Sequence, residues 1–345
     1  MSEGTQPSQG SRILFVLAGL VIVVWGIHAA QSVLLPFLVA IFLAVIGASP
    51  VIWLEKKRVP SVVAVLLVVA GMVGVLLVMA ALVGTSVTAF SDALPLYQKR
   101  LQEMTALSLT WLSGMGIDIS DKLLLKHVDP GAIMRLIARM LSGLGSALAN
   151  TFLILITVIF ILLEASSFPR KLRTAFRDPH ATFPQFSRFA DSLRRYLAIK
   201  TWISLATGMI IALWLALLGV DFPLLWGLLA FLLNYVPNLG SIIAAAPAVL
   251  VALIQLGPGT AVLSAAGYIV VNVVLGNAVE PKLMGRGLGL STLVVFLSLI
   301  FWGSLLGPVG MILSVPITMT LKIALESSEQ TRWIAVMLGT GEPVD

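Results

Sequence analysis

One apolar run, residues 222–256, is long enough to cross a bilayer and yet breaks in its middle, at Asn234-Tyr-Val-Pro237-Asn238-Leu-Gly240-Ser241. Pro237 removes a backbone donor, and Asn238 and Gly240 tolerate non-helical dihedrals, so the run reads as two half-length helices meeting at a polar tip. Residues 291–322 repeat the pattern, broken at Trp302-Gly303-Ser304-Leu-Leu-Gly307-Pro308-Val-Gly310. Pro237-Asn-Leu-Gly240-Ser-Ile-Ile-Ala-Ala-Ala-Pro247 aligns loosely with Gly307-Pro-Val-Gly310-Met-Ile-Leu-Ser-Val-Pro316. Unwound backbone inside a bilayer is tolerated only where protein or a wet cavity covers it, so two interrupted runs in one chain point to a transport site.

Runs of this kind need lipid as their solvent, and the composition agrees. Of 345 residues, 59% are hydrophobic and 11% charged, too little polar material to cover a soluble globule. Basic residues outnumber acidic ones by 22 to 16, but they gather in short loops between apolar runs. That is the inside-positive pattern of membrane proteins, and it argues against a nucleic-acid partner. With no cysteine, disulfides and thiolate chemistry are excluded. His28, His127 and His180 are scattered without metal-ligand spacing, so neither a metal nor another cofactor is expected. The apolar stretch after Arg12 has no convincing small-x-small cleavage site, and is expected to stay as a first helix.

Residues 13–30 and 33–54 form two spans, followed by the basic loop Glu55-Lys56-Lys57-Arg58-Val-Pro60 and a third run from 61 to about 90. Residues 91–141 mix both charge signs with Leu, Met and Ile and read as a small helical extramembrane insert. Its positions Leu94, Tyr97, Leu101, Met104 and Leu107 recur at three-to-four spacing, so that face should lie against something. Residues 143–163 cross again, 164–200 carry a basic surplus expected in the cytoplasm, 202–219 lead outward, and 260–279 return to Lys282 and Arg286. Keeping those bases inside requires both broken runs to end on the side where they began, the first entering from outside and the second from inside. The expected fold is all-α and polytopic, with two inverted, Pro/Gly-broken re-entrant hairpins and both termini cytoplasmic. Its expected divisions are 1–90 (a frame), 91–141 (the insert), 142–200 (a span and basic loop), 201–325 (a transport unit) and 326–345 (a tail).

Asn234, Pro237, Asn238, Gly240 and Ser241 surround the first break, where unwound carbonyls and amide side chains can bind a polar solute. Ser304 and Gly307 stand at the second. Glu280 is an acid beside an uninterrupted span, and Asn272, Gly276 and Glu280 share a helical face at i, i+4 and i+8. A carboxylate at membrane depth usually has a function. The alternative is an interfacial cap, since Pro281 ends the helix there and Lys282 offers a base. The spacings of Gly303 with Gly307 and of Gly285 with Gly289 suit close helix packing more than ligand contact. No enzyme motif survives: Gly285-Arg-Gly287-Leu-Gly289-Leu290 lacks the last glycine of a dinucleotide loop and follows a membrane helix.

Four pieces of the chain resemble the autoinducer-2 exporter family of bacterial membrane proteins. They are Tyr196-Leu-Ala-Ile-Lys200-Thr201-Trp-Ile-Ser204-Leu-Ala-Thr-Gly208, Phe231-Leu-Leu-Asn234-Tyr-Val-Pro237-Asn238-Leu-Gly240-Ser-Ile-Ile, Asn277-Ala-Val-Glu280-Pro281-Lys-Leu-Met-Gly285-Arg-Gly-Leu-Gly-Leu290, and Gly307-Pro-Val-Gly310 through Pro316. Many relatives have Gly-Gln where Ile199-Lys200 stand, and the Lys-Thr form is similar to the exporter subgroup. The resemblance adds Asn277 to the candidate residues and implies export of a small polar solute, autoinducer-2, from the bacterial inner membrane by alternating access. Some members resemble sodium/proton antiporters in activity, so antiport with a coupling cation or proton at Glu280 is the alternative. A non-transporting scaffold built around the insert is a third reading. A mobile hairpin unit needs a fixed frame, so a homo-oligomer in the lipid bilayer is expected; the resemblance adds a pentamer.

Overall fold

The computed structural model describes residues 9–115, 153–164, 179–237, 239–284, 289–326 and 329–339, and every regular element among them is helical. In order these are α1 (Gln9–Ala29), α2 (Gln31–Lys56), α3 (Ser61–Gly114), α4 (Leu153–Glu164), α5 (Pro179–Leu217), α6 (Pro223–Leu233) and α7 (Leu239–Leu256). They continue with α8 (Pro258–Val271, prolonged by Asn272–Val279 and Glu280–Met284), α9 (Thr292–Glu326) and α10 (Arg332–Leu338). Among the described residues, six stretches are long and apolar enough to cross a bilayer: Gln31–Lys56, Ser61–Ala106, Asp191–Leu217, Leu239–Leu256, Pro258–Met284 and Thr292–Glu326. Fewer than half of the residues in each are buried, large apolar side chains such as Leu77, Leu213 and Ile269 are exposed, and such an apolar exterior suits lipid or another protein, not water.

Two compact units emerge, one of residues 45–288 and the other of residues 1–44 with 289–345. In the first, Phe90 and Tyr97 of α3 pack with Trp226 and Leu229 of α6, Ala244, Ala248 and Val251 of α7, and Tyr268 of α8. Glycines bring α5 and α6 into backbone contact: a Cβ on Gly208 would lie 2.7 Å from the Gly227 carbonyl oxygen, and one on Gly227 2.6 Å from that of Gly208. Only small residues permit such an approach. Leu94, Tyr97 and Leu101 pack on this core, so the apolar face expected after residue 90 does lie against something. However, α3 continues without interruption through residue 90 and through Pro95 to Gly114. Residues 116–152, the rest of the expected insert, lie outside the described ones.

The first broken run folds back on itself. α6 ends at Leu233, the chain turns at 234–237, and the Gly240 amide donates to the Val236 carbonyl at 3.2 Å. At the other end the Asp221 amide donates to Gln255 Oε1 at 2.9 Å, joining the start of one arm to the finish of the other. The second broken run lies in the other unit. α9 is not one rod, because Gly307 has φ 67° and ψ −154°, a conformation open essentially to glycine alone. Trp302 Nε1 donates to Thr318 Oγ1 at 3.1 Å, a contact a straight helix cannot make across 16 positions, roughly 24 Å of rise. α9 is therefore two antiparallel arms. α10 closes the end of this unit, with the Ser291 amide donating to the Leu338 carbonyl at 3.1 Å.

Both folds need a glycine three residues beyond the turn-making Pro237 or Gly307. A Cβ on Gly240 would collide with the Leu233 carbonyl, and one on Gly310 with the Trp302 carbonyl. The loose sequence alignment of the two runs thus reflects one backbone solution used twice.

Candidate functional site

Polar side chains meet where the first hairpin turns. α5 presents Lys200, Thr201 and Ser204 from consecutive turns, the end of α6 brings Asn234 and Tyr235, and the end of α8 brings Glu280. Lys200 Nζ donates to Glu280 Oε1 at 2.7 Å, with the two side chains only 7% and 15% exposed. Asn234 Nδ2 donates to Ser204 Oγ at 3.0 Å, and the Tyr235 hydroxyl donates to Thr201 Oγ1 at 2.8 Å. Thr201 in turn donates to the Leu197 carbonyl at 2.7 Å. Ser204 and Tyr235 are buried, and buried Tyr196 lies within electrostatic reach of Glu280 and of Tyr235. In an apolar body a buried ion pair is costly to assemble, and here the hydroxyls and amide bonded to one another lie on the adjoining residues of α5 and α6.

Lys200 corrects two expectations. It is not a loop residue but a buried one inside α5, and it, not exposed Lys282, is the partner of Glu280. Nor does Pro281 end the helix. A proline in a helix clashes with the carbonyl four residues before it, and here residues Asn272–Val279 widen to i→i+5 bonding, the Glu280 amide reaching back to the Leu275 carbonyl. The helix passes on to Met284, and its widened turn delivers Glu280 to α5.

The widened register also separates residues expected to act as one row. Asn272 Oδ1 lies over Gly276, 3.1 Å from where a Cβ would stand, and Asn272 lines a groove of about 470 Å³ between α7 and α8 with Ser241, Ala245, Leu250 and Tyr268. Asn272 and Ser241 therefore share one mostly apolar groove, while Glu280 belongs to the Lys200 cluster. Gly276 serves as room for the Asn272 side chain. Pro237 is half-buried, Gly240 is buried as the close-approach residue, and Asn277 is exposed. Asn238 lies outside the described residues.

In the other unit Ser304 is exposed and donates to its own helix, at the Phe301 carbonyl, 2.8 Å away. Gly307 is the bend itself. A Cβ on it would stand 3.9 Å from Nε2 of Gln31, the first residue of α2. A Cβ on Gly303 would stand 2.7 Å from Met311 Cγ, so this glycine makes room for that side chain, whereas Gly307 is required for its dihedrals.

At the base of the first hairpin stands a clasp not anticipated from the sequence. Tyr97 donates to Asp221 Oδ2 at 2.6 Å, Arg100 to the Gln255 carbonyl at 3.2 Å, Gln255 Nε2 to the Gly219 carbonyl at 3.1 Å, and Trp226 Nε1 to the Asp221 carbonyl at 2.8 Å. Residues 124 and 155 positions apart are joined, and no local pattern reports such a pair. Lys200 and Ser204 were within reach of sequence reasoning, since a lysine one turn from a serine in an apolar stretch is itself a signal.

The described residues hold no group of three or more His, Cys, Asp or Glu side chains suited to a metal ion. The family model described as AI-2E family transporter matches residues 13–330. The chain is 43% identical to the AI-2 transport protein TqsA of Escherichia coli over 329 residues, 95% of this chain and 96% of that protein. It is 38% identical to the Escherichia coli "Putative transport protein YhhT" over 342 residues, 99% and 98% of the two chains. A Haemophilus influenzae protein of the same general description is 38% identical over 339 residues, 96% and 97% of the two.

Proposed function

Because the chain belongs to the AI-2E family of transporters, a multi-pass membrane protein and not an enzyme, we propose that it exports a small polar solute, with AI-2, the cargo in the name of its relative TqsA, as that solute. The observation that carries this reading is the buried polar cluster of Lys200, Thr201, Ser204, Asn234, Tyr235 and Glu280 at the tip of the first hairpin. Hydroxyl-rich cargo is matched by amide and hydroxyl partners that donate and accept without a net charge.

In this reading the hairpins are re-entrant and inverted. α6 is 11 residues, roughly 17 Å of rise, against a hydrocarbon core of about 30 Å, which supports a run that enters and returns. The cargo-binding residues are Asn234, Pro237, Asn238, Gly240 and Ser241 of the first break, Ser304 and Gly307 of the second, and Asn272, Asn277 and Glu280. Access alternates as the unit of residues 201–325 moves against the frame of residues 1–90. The protein sits in the bacterial inner membrane with both termini cytoplasmic and residues 91–141 outside, and assembles as a homo-oligomer, a pentamer being the family expectation.

The test is the ratio of external to internal AI-2 in a bacterium lacking its own exporter. Wild type raises it, and Asn234→Leu lowers transport about tenfold at equal membrane abundance, the effect of one lost hydrogen-bonding group. Single cysteines at Ser2, Lys57 and Gln102 should react with an impermeant maleimide in intact cells only at the last. A monodisperse monomer in native mass measurement would count against the frame-and-mover arrangement. Glu280 favours a second reading, cation/proton antiport, since it is a carboxylate at membrane depth. Purified protein in vesicles that moves protons against sodium, with no organic solute, would replace export by antiport; neither flux would leave the scaffold.

A further inference from the structure

The ion pair in the first hairpin's cluster says something about coupling that the family assignment does not. Glu280 is the acid of the cluster, and its Oε1 is already met by an ammonium at 2.7 Å. That ammonium cannot diffuse away, because Lys200 is anchored on α5 and is 5% exposed. Next to Lys200 along α5 stand neutral groups: Thr201, whose Oγ1 accepts from the Tyr235 hydroxyl, and Ser204, one turn on, whose Oγ accepts from Asn234 Nδ2. Carboxylate, amide and hydroxyl oxygens are the ligands hard cations take. From this geometry we propose that Lys200 is a tethered counter-cation: it holds the place on Glu280 that a mobile metal cation would otherwise occupy, and so makes the cluster neutral and its transport independent of a bound sodium ion.

The physical argument is charge compensation. A buried carboxylate left without its partner is strongly unfavourable, and an accessible cation is drawn to it. With Lys200 in place the carboxylate is already compensated, and a second cation would meet the ammonium's repulsion at close range. Lys200 is thus a specificity-determining residue for what accompanies the cargo. The inference rests on the reading of this cluster as the transport site, but its test uses no cargo.

The experiment is a sodium titration of the purified full-length protein, with choline chloride holding ionic strength constant, read as the thermal midpoint of intrinsic tryptophan fluorescence. Wild type should melt at the same temperature in sodium and in choline. Lys200→Gln should gain a saturable rise of several degrees in sodium, by the linkage of binding to stability. Lys200→Arg, which keeps a tethered cation, should lose the response again, and Lys200→Gln with Glu280→Gln should also lack it. If Lys200→Gln alone does not fold, the double variant should restore a folded protein, because removing both charges leaves none uncompensated. Saturable stabilisation of the wild type by sodium that Glu280→Gln removes would overturn the proposal. So would a folded Lys200→Gln protein blind to sodium, or a double variant that fails to rescue an unfolded single one. None of these outcomes depends on which solute is exported, and failure to export AI-2 would leave the sodium result standing.

Discussion

The two hairpins share a backbone solution and differ in who holds it. In each, a glycine lies against the carbonyl of the arm that precedes the turn, Gly240 on Leu233 and Gly310 on Trp302. The first hairpin is then held from outside: α5 bonds its tip through Ser204 and Thr201, and α3 clasps its base through Tyr97 and Arg100. The second is held by itself. Trp302 bonds Thr318 across its two arms, and Ser298, Ser304 and Ser314 all donate to carbonyls three residues back in their own helix. A tip whose polar groups are shared with a neighbouring helix can exchange partners with a solute. A tip whose hydroxyls are satisfied within its own helix has less to offer, and contributes shape.

Six changes would break or sharpen that contrast. The largest effects fall on what the hairpins have in common. Gly240→Ala and Gly310→Ala each set a methyl against fixed backbone, and each should cost roughly 3–5 kcal/mol or abolish assembly, seen as loss of a monodisperse peak in detergent. Gly303→Ala, which meets the Met311 side chain at Cγ and Sδ and no backbone, should be milder; equal damage would deny that backbone contact is the reason. Next comes the outside support of the first hairpin. Tyr97→Phe deletes a 2.6 Å bond to a carboxylate and should cost about 2 kcal/mol in thermal or denaturant unfolding. Thr318→Val removes the acceptor of Trp302 in the second hairpin, for about 1 kcal/mol by the same measurement. Smallest is Ser304→Ala, expected within about 0.5 kcal/mol of wild type and near full export, since its hydroxyl is exposed and bonded to its own helix. Should it silence transport while Asn234→Leu does not, the roles given to the two tips would have to be exchanged.

Much of the first-order fold was legible because its signals are local. Proline and glycine act on the dihedrals and donors of their own and adjacent residues, so the breaks at 234–241 and 302–310 could be placed within a turn of where α6 gives way to α7 and α9 folds back at Gly307. Apolar length alone located the runs 33–54, 61–90, 202–219 and 260–279, which overlap α2, α3, α5 and α8. Lateral organisation was less accessible. The expected boundary near residue 90 rests on a change in composition, but a helix needs only its own backbone bonds to continue, and α3 carries on to Gly114 past Pro95. Lys200 was assigned to a loop by its neighbours in sequence, and its burial follows from α6 and α8 packing beside α5. Glu280 was given Lys282 because that base is two residues away.

What the sequence by itself determined is that the chain is helical, lives in lipid, and bends twice at defined points, because bilayer length, backbone donors and allowed dihedrals are properties of consecutive residues. What only the tertiary structure decided is which polar groups meet. Lys200 and Glu280 are 80 positions apart, and their 2.7 Å contact depends on a widened turn from Asn272 to Val279 that carries Glu280 past Pro281. Electrostatic partners are chosen by distance in space, and the distance was set by how three helices packed.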